Sequence, residues 1–345
     1  MTFKAQNITL TVISVFLTLC SVEVALRVYN RQLFQFESMT APFVGAAGRM
    51  SYHEQLGWVP KPGGFRVGDW SGHIDSSGFR SNSSAVRTSG RPIIALGDSF
   101  TFGDEVNDSE TWPAQLEEVL HIPVFNAGVS AYGIDQAALR AELLLERYHP
   151  TIVMLAFISD DIGRTEYSYY PWGRGWKPYF DFVNGSLTLR NTPVPTKPPP
   201  QQPERLRLAL GYSFLANFVF HRVAPRWWSG SPVVERVHHD GNDVAVELLA
   251  RLNGLAQQQG GQLLAIALST NGAIGDNAKL PDVVKRARER GVKVLDLATE
   301  ILNLEPEQLR SSFRPLGHYT PAMNGWVANR IASSLRESDA PLTKN

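Results

Sequence analysis

Residues 92–103 read "PIIALGDSFTFG", and this stretch decides the fold class of a chain of 345 residues. Its first part, Pro92–Leu96, is a short apolar run followed by Gly-Asp, which is typical of a buried parallel strand. Glycine at the strand end permits a tight turn, and the next polar side chain can then lie at the sheet edge. Ser99 occupies that position. It is either a nucleophile, if a base can reach it, or part of an ordinary strand-to-loop turn.

The same kind of apolar run recurs along the chain and alternates with amphipathic segments. Further strands are predicted at 122–128, 151–157, 262–268 and 292–297, and helices at 111–120, 135–148, 204–222, 244–259, 281–290 and 320–336. Alternating strands and helices predict a parallel sheet that is covered by helices on both faces.

Polar residues follow the predicted strands at their carboxyl ends, where active residues gather in such a sheet. These groups are Asp98-Ser99, Asn126–Gly128, Ser159–Asp161, Ser269-Thr270 and Asp296. His318 comes after the last strand, just before a helix start in which Thr320 is the N-cap and Pro321 the first helical residue. His318 is therefore a candidate catalytic base.

The N-terminal segment is apolar and uncharged from Ile8 to Val22. The run continues to about Tyr29, and roughly 20 residues are enough to span a bilayer. A signal peptide is the alternative, but no small-x-small cleavage motif follows, which favours an uncleaved anchor. Lys4 precedes the run and Arg27 lies near its end, so the distribution of positive charge does not decide the orientation.

Composition excludes several classes of protein. Hydrophobic residues make up 43% of the chain and charged residues 19%, which is enough apolar material for a core and excludes a disordered protein. The 33 basic and 33 acidic residues include no basic run interleaved with aromatics, so no nucleic-acid partner is predicted. Cys20 is the only cysteine, which excludes a disulfide framework and a cysteine-based metal site. Neither a metal nor an organic cofactor is predicted.

Three motifs, in this order along the chain, resemble the blocks of the SGNH (GDSL) hydrolase family. Gly97-Asp98-Ser99 matches the first block, and "NAGVSAYG" (126–133) resembles the second, with Gly128 as its oxyanion glycine. "GHYTPAMNG" (317–325) resembles the last block, which ends in a histidine followed by a helix. "DSSGFR" (75–80) is also similar to a segment that precedes the serine block in membrane-anchored bacterial members.

The resemblance implies a three-layer α/β/α domain of the SGNH or flavodoxin-like type, with a five-stranded parallel sheet. It also implies ester chemistry, in which Ser99 attacks an acyl carbonyl and His318 is the general base. The oxyanion would be held by the backbone N–H groups of Ser99 and Gly128 and by an asparagine of the third block. The expected substrate is an acyl ester, often acetyl, on a carbohydrate or cell-surface polymer.

The third block departs from the family, because Asp160 in "ISDDIGR" stands where the family has asparagine. An ionised carboxylate has no N–H to donate. Two like charges about 4 Å apart also repel by roughly 4 kcal/mol at an effective dielectric constant of about 20. Asp160 could donate if burial beside Asp161 raised its pKa, and activity would then favour mildly acidic pH.

The acidic partner of His318 is also missing from its usual place, two or three residues earlier, where this chain has Leu316 and Pro315. The Pro315 carbonyl is a plausible partner for the imidazole Nδ1–H. Asp296 is a remote alternative that is better explained as a helix cap after a strand.

The resulting hypothesis is a membrane-anchored serine esterase or acyltransferase. The alternatives are a catalytically impaired domain that binds a glycan or acylated ligand, or a scaffold in envelope polysaccharide modification. The predicted organisation is an anchor at 1–30, a lead-in segment at 31–90, a hydrolase-like domain at 91–338 with an insertion at about 163–203, and a tail at 339–345. The resemblance implies that the domain lies in the periplasm or outside the cell. The sequence does not indicate the oligomeric state.

Overall fold

The computed structural model describes residues 2–30, 49–83, 91–170, 175–196, 205–224, 240–271 and 277–337. The predicted tail lies outside the described residues, as do 31–48 and 84–90 of the predicted lead-in segment and 171–174 and 197–203 of the predicted insertion.

Thirteen strands and twelve α-helices lie within the described residues. The strands are β1 (Met50–His53), β2 (Gly57–Pro60), β3 (Gly63–Val67), β4 (Trp70–Ile74), β5 (Ile93–Leu96), β6 (Val124–Asn126), β7 (Ile152–Phe157), β8 (Tyr169–Tyr170), β9 (Gly175–Trp176), β10 (Tyr179–Val183), β11 (Ser186–Arg190), β12 (Gln262–Ala267) and β13 (Val294–Asp296). The helices are α1 (Thr2–Asn30), α2 (Ser99–Phe102), α3 (Trp112–Leu120), α4 (Ile134–Tyr148), α5 (Ser159–Gly163), α6 (Arg205–Leu210), α7 (Phe214–Val223), α8 (Gly241–Gln258), α9 (Leu280–Glu289), α10 (Leu297–Leu302), α11 (Pro306–Ser311) and α12 (Pro321–Glu337).

The central sheet contains the five predicted strands in the order β13-β12-β7-β5-β6, and every neighbouring pair is parallel. β5, which carries the serine motif at its end, lies next to β7 on one side and β6 on the other. The predicted α/β fold with a five-stranded parallel sheet is confirmed.

Helices cover both faces of this sheet, because alternate strand residues point to opposite sides. Leu96, Leu155 and Ala267 belong to a core that includes residues of α4, α8 and α9. Ala95, Met154 and Ile266 belong to a second core that includes residues of α3, α10 and α12. The three central strands β5, β7 and β12 are therefore buried on both faces, and the three-layer arrangement that the resemblance implies is present.

The chain divides into two compact units. One contains the sheet, its helices and the two antiparallel hairpins β1–β2 and β3–β4, which precede the sheet in sequence. Arg80 follows these hairpins, and its N–H donates to the carbonyl of Asn126 at 2.9 Å, which joins this segment to the end of β6. Residues 49–83 are thus hydrogen-bonded to the edge strand of the sheet.

The other unit contains α1, α6 and α7. In α1, residues 9–28 have a mean hydropathy of 2.0 and are long and apolar enough to cross a membrane, as a signal sequence also would be. Within this unit the Glu23 carboxylate accepts the N–H groups of Phe214 (3.0 Å) and Leu215 (2.9 Å) at the start of α7.

Candidate active site

Ser99 is the first residue of α2, directly after the turn that ends β5. Gly97 in this turn has φ +148°, and a Cβ there would lie 2.5 Å from the carbonyl oxygen of Ala156, so a side chain has no room. The Asp98 carboxylate caps the helix by accepting the Phe100 N–H at 2.9 Å. The turn therefore places Ser99 at the carboxyl edge of the sheet, as the sequence predicted.

The backbone N–H of Ser99 lies at the start of a helix, where N–H groups have no intrahelical acceptor. Within the described residues no hydrogen bond is assigned to it. The Ser99 residue is 8% exposed. An N–H group of this kind, close to the serine oxygen and largely shielded from water, suits an oxyanion that forms on a carbonyl attacked by that oxygen.

His318 reaches Ser99 from the loop before α12. Its Nε2 lies 2.9 Å from the Ser99 Oγ, although the two residues are 219 positions apart. The predicted helix start holds this loop, because Thr320 Oγ1 accepts the Met323 N–H at 3.3 Å. The Phe100 ring packs beside the imidazole, with 5.2 Å between the ring centroids. The two residues predicted to act as nucleophile and base are thus brought together.

Glu105 is the residue that orients His318, and the sequence analysis did not identify it. Its Oε2 lies 2.9 Å from the imidazole Nδ1 and also accepts the His318 backbone N–H at 3.1 Å. Its Oε1 accepts the Leu316 N–H at 3.0 Å. A carboxylate accepts all three bonds only if Nδ1 carries a proton, which leaves the Nε2 lone pair directed at Ser99.

The Pro315 partner predicted for His318 is therefore wrong, and the helix-cap interpretation of Asp296 is confirmed. The Pro315 carbonyl is not the acceptor, because the Glu105 carboxylate occupies the Nδ1 position. Asp296 is the N-cap of α10 and accepts the Thr299 N–H at 3.1 Å, which is the helix-cap interpretation. The acidic member of the group is present, but it comes from the segment after the serine instead of the segment before the histidine.

The charge around His318 favours its protonated form. Burial alone lowers the pKa of the imidazole, but the hydrogen bond to Glu105 and the negative charges of Asp104, Glu105 and Asp98 raise it further than burial lowers it. The net effect is a pKa above the ordinary value of 6.5. His318 is therefore a stronger base than a free imidazole.

A second buried charge cluster lies behind the serine. Arg164 Nη1 lies 2.5 Å from Asp161 Oδ1 and 3.3 Å from Asp98 Oδ2, and it donates to the Tyr132 carbonyl at 2.9 Å. Burial and the neighbouring charge of Asp98 raise the pKa of Asp161 well above its usual range, and Arg164 only partly offsets them. The cluster links α5 to the turn that carries Ser99.

Asp160 does not have the environment that the sequence analysis expected. Its side chain is 35% exposed and lies 3.9 Å from Arg164 Nη2. The carboxyl group buried in this helix is that of Asp161, whose side chain is 2% exposed. The expected burial of Asp160 beside Asp161 is therefore wrong, because its side chain is partly exposed to water and lies near an arginine.

Gly128, the predicted oxyanion glycine, lies against α2. A Cβ at this position would lie 2.3 Å from the Phe102 nitrogen and 2.7 Å from the Thr101 carbonyl carbon. Its N–H, however, donates to the Asn126 Oδ1 at 3.2 Å. Gly128 therefore permits a close contact between two backbones, and its N–H can serve an oxyanion only after that bond is broken.

Within the described residues no group of three or more His, Cys, Asp or Glu side chains could hold a metal ion. The carboxylates near Ser99 are paired with Arg164, His318 or backbone N–H groups. The arrangement supports proton transfer from a serine to a histidine.

No protein-family model and no curated protein matches this sequence. Solved structures with a similar fold include a G-D-S-L family protein from Desulfitobacterium hafniense, at 14% identity and a TM-score of 0.43 over 71% of this chain and 99% of that chain. A lipase/acylhydrolase from Enterococcus faecalis matches at 12% identity and 0.40 over 71% and 96%. The psychrotrophic esterase EstA from Pseudoalteromonas sp. matches at 11% and 0.40 over 72% and 98%.

Proposed function

We propose that this chain is a serine-dependent hydrolase or transferase of acyl esters. The observation that carries the proposal is the connected series Ser99 Oγ, His318 Nε2, His318 Nδ1 and Glu105 Oε2, in which both contacts between residues are 2.9 Å. A serine, a base and a group that orients the base are the three parts of an activated nucleophile.

The reaction follows from these contacts. His318 Nε2 takes the proton of Ser99 as Oγ bonds to the acyl carbon, and the carbonyl oxygen becomes an oxyanion. The imidazolium then returns the proton to the leaving alkoxide, and the acyl group remains on Ser99. Water, or an acceptor hydroxyl in a transferase, gives a proton to His318 and attacks the acyl carbon. The imidazolium then returns this proton to Ser99 Oγ as the bond between Oγ and the acyl carbon breaks, which releases the acyl group as an acid or a new ester.

The proposed oxyanion donors are the N–H groups of Ser99 and Gly128, and Asp160 occupies the third position, where the family has an asparagine donor. The Asp160 carboxylate opposes the oxyanion while it is ionised. This feature favours a second candidate function, an impaired domain that binds an acylated or glycan ligand without turning it over.

The substrate, anchor and location are proposed on other grounds. The resemblance of the three motifs supports an acyl ester, most often acetyl, on a carbohydrate or cell-surface polymer. The apolar helix α1 supports a single-pass N-terminal anchor. The resemblance to membrane-anchored bacterial members supports a catalytic unit in the periplasm or outside the cell.

Covalent labelling tests the proposal. The full chain in detergent is treated with a fluorophosphonate probe between about pH 5 and 9, and the modified peptide is identified by mass spectrometry. We expect labelling on Ser99 that is lost in Ser99→Ala and strongly reduced in His318→Ala. A folded wild-type chain that is not labelled at any pH would exclude an activated serine and leave the ligand-binding function.

A further inference from the structure

Arg80 is a densely bonded side chain near the site, although it belongs to the segment before the sheet. It is 2% exposed. Its guanidinium contacts the Asp108 Oδ1 (2.8 Å) and the carbonyl oxygens of Phe102 (2.8 Å), Val106 (2.6 Å), Ser71 (3.4 Å) and Gly103. Three of these carbonyls belong to residues 102–106, the short loop that carries Glu105.

The loop needs such support because two of its residues have an energetically unfavourable backbone conformation. Gly103 has φ +86° and Glu105 has φ +69°, so both lie in the left-handed region. Glycine adopts this conformation readily, but a glutamate does so at an energetic cost that the surroundings must offset. The carbonyls on either side of Glu105 are both fixed by one guanidinium, since Gly103 precedes it and Val106 follows it.

Arg80 is itself held in place from two sides. The rings of Phe65, Trp70 and Phe102 surround the guanidinium, with their centroids 5.5, 5.6 and 5.0 Å from its central carbon. The hairpin β3–β4, which supplies Phe65 and Trp70, also donates the His73 N–H to the Asp108 Oδ2 at 2.9 Å. Hairpin, arginine and loop therefore form one connected unit.

Arginine suits this role in a way that lysine does not. The planar guanidinium directs five N–H donors in fixed directions and can reach several carbonyls and a carboxylate together. A lysine ammonium is a single point of charge on a flexible stem, so it can pair with Asp108 but cannot hold the carbonyls on both sides of Glu105.

We propose that Arg80 is a positioning residue that fixes the Glu105 carboxylate against His318. The hairpin β3–β4 is then a part of the catalytic unit, because it supplies the aromatic rings around Arg80. This inference rests on the proposed function, since the position of Glu105 matters for turnover only if His318 is a base.

The test is a double-mutant cycle with the full chain in detergent and p-nitrophenyl acetate as substrate. We expect Arg80→Lys to lower kcat by about 10- to 100-fold with little change in KM, as displacement of a catalytic group by about 1 Å does. In a Glu105→Gln background the same substitution should change kcat by less than about twofold, because its effect acts through Glu105.

Arg91→Met is the matched control. Arg91 also donates to backbone carbonyls, those of His149 (2.5 Å), Pro150 (3.0 Å), Gln259 (3.1 Å) and Gly260 (3.2 Å), but it lies before the start of β5, at the opposite end of the sheet from Ser99. The Arg91→Met substitution should leave kcat unchanged. If Arg80→Lys does not fold, Asp108→Asn replaces it, since it loosens Arg80 and keeps the side-chain shape.

The outcomes separate the two claims. An equal loss of kcat from Arg80→Lys in both backgrounds, or no loss in a folded Arg80→Lys chain, overturns the positioning role and leaves the proposed function intact. A wild-type chain without Ser99-dependent turnover overturns the proposed function and the positioning role with it.

Hydrogen exchange of a peptide covering 102–106 should accelerate in Arg80→Lys and not in Arg91→Met, and unchanged exchange would show that Arg80 does not hold the loop.

Discussion

Glu105 binds both the side chain and the backbone of the histidine that it orients. Its Oε2 accepts the Nδ1–H and the backbone N–H of His318, and its Oε1 accepts the Leu316 N–H. The loop before α12 and the loop after α2 are therefore fixed to each other at the imidazole. The negative charge that stabilises an imidazolium is supplied within hydrogen-bonding distance, so the ring does not need to reorient when it takes the serine proton.

The pH dependence of turnover follows from the raised pKa of His318. The reaction needs the neutral imidazole, so kcat/KM should fall as pH drops through a pKa above 6.5. Glu105→Gln removes the hydrogen bond and charge that raise this pKa and leaves the burial that lowers it, so the acid limb should move to lower pH. The interactions of protonated His318 also raise the free energy of unfolding. This contribution is complete below pH 6.5 and is lost as pH rises through the pKa of His318 in the folded state. A wild-type acid limb below pH 6.5 would contradict this account.

Asp160→Asn should increase turnover. The substitution removes a negative charge from the proposed oxyanion site and supplies an N–H donor, and one such donor changes kcat by about 10²-fold in a protease. Steady-state kinetics against p-nitrophenyl acetate measure the effect, with Asp240→Asn as a control at an exposed carboxylate that caps α8. A lower kcat in a folded Asp160→Asn chain would show that the carboxylate itself is needed.

The sequence predicted Ser99 and His318 and missed Glu105, the acidic end of the relay. Ser99 begins a helix directly after a strand, and His318 lies two residues before the helix cap Thr320, which are local patterns that a sequence shows. Glu105 follows Gly103, whose left-handed backbone turns the chain back toward His318, and no periodicity reports such a turn. The acid and glycine in "GDEV" just after the serine motif were the available signal.

At the scale of elements, two glycines test how tightly the site is packed. A Cβ at Gly128 would lie 2.3 Å from the Phe102 nitrogen in α2, whereas a Cβ at Gly254 in α8 has no neighbour within 4 Å. Gly128→Ala should therefore destabilise the unit by about 1–3 kcal/mol. Gly254→Ala should stabilise it by up to about 1 kcal/mol, because alanine loses less conformational entropy in a helix.

Chemical denaturation of the full chain in detergent, followed by tryptophan fluorescence, measures both changes. Equal midpoints for the two variants would show that the loop at 126–133 moves freely away from α2.

Strands and long helices were predictable because their apolar residues repeat often enough to be recognised. β7 and α4 begin within one residue of their predicted starts and end where predicted. The six-residue helices α10 and α11 were missed, since six residues offer too few periodic positions. The predicted helix at 204–222 is instead α6 and α7, because Ser213 caps a new helix start by accepting the Ala216 N–H at 3.1 Å.

At the scale of the whole molecule, the proposed membrane anchor is α1. An uncleaved anchor should leave the full-length chain in the membrane pellet after alkaline carbonate extraction, with residues 1–30 present by mass spectrometry. Leu17→Asp places a charge near the middle of the apolar run and costs about 2.5–3.5 kcal/mol at a helix centre, so it should release the chain, whereas Leu17→Ala should not. A shortened, soluble wild-type product would identify α1 as a signal peptide.

The most direct test of the central claim compares Glu105→Gln with Asp296→Asn. If Glu105 orients His318, Glu105→Gln should lower kcat by up to about 10⁴-fold while the chain stays folded, because an amide favours the wrong imidazole tautomer. Asp296→Asn alters only a helix cap and should leave kcat unchanged. Wild-type kcat in a folded Glu105→Gln chain, or a large loss in Asp296→Asn alone, would contradict a relay from Glu105 through His318 to Ser99.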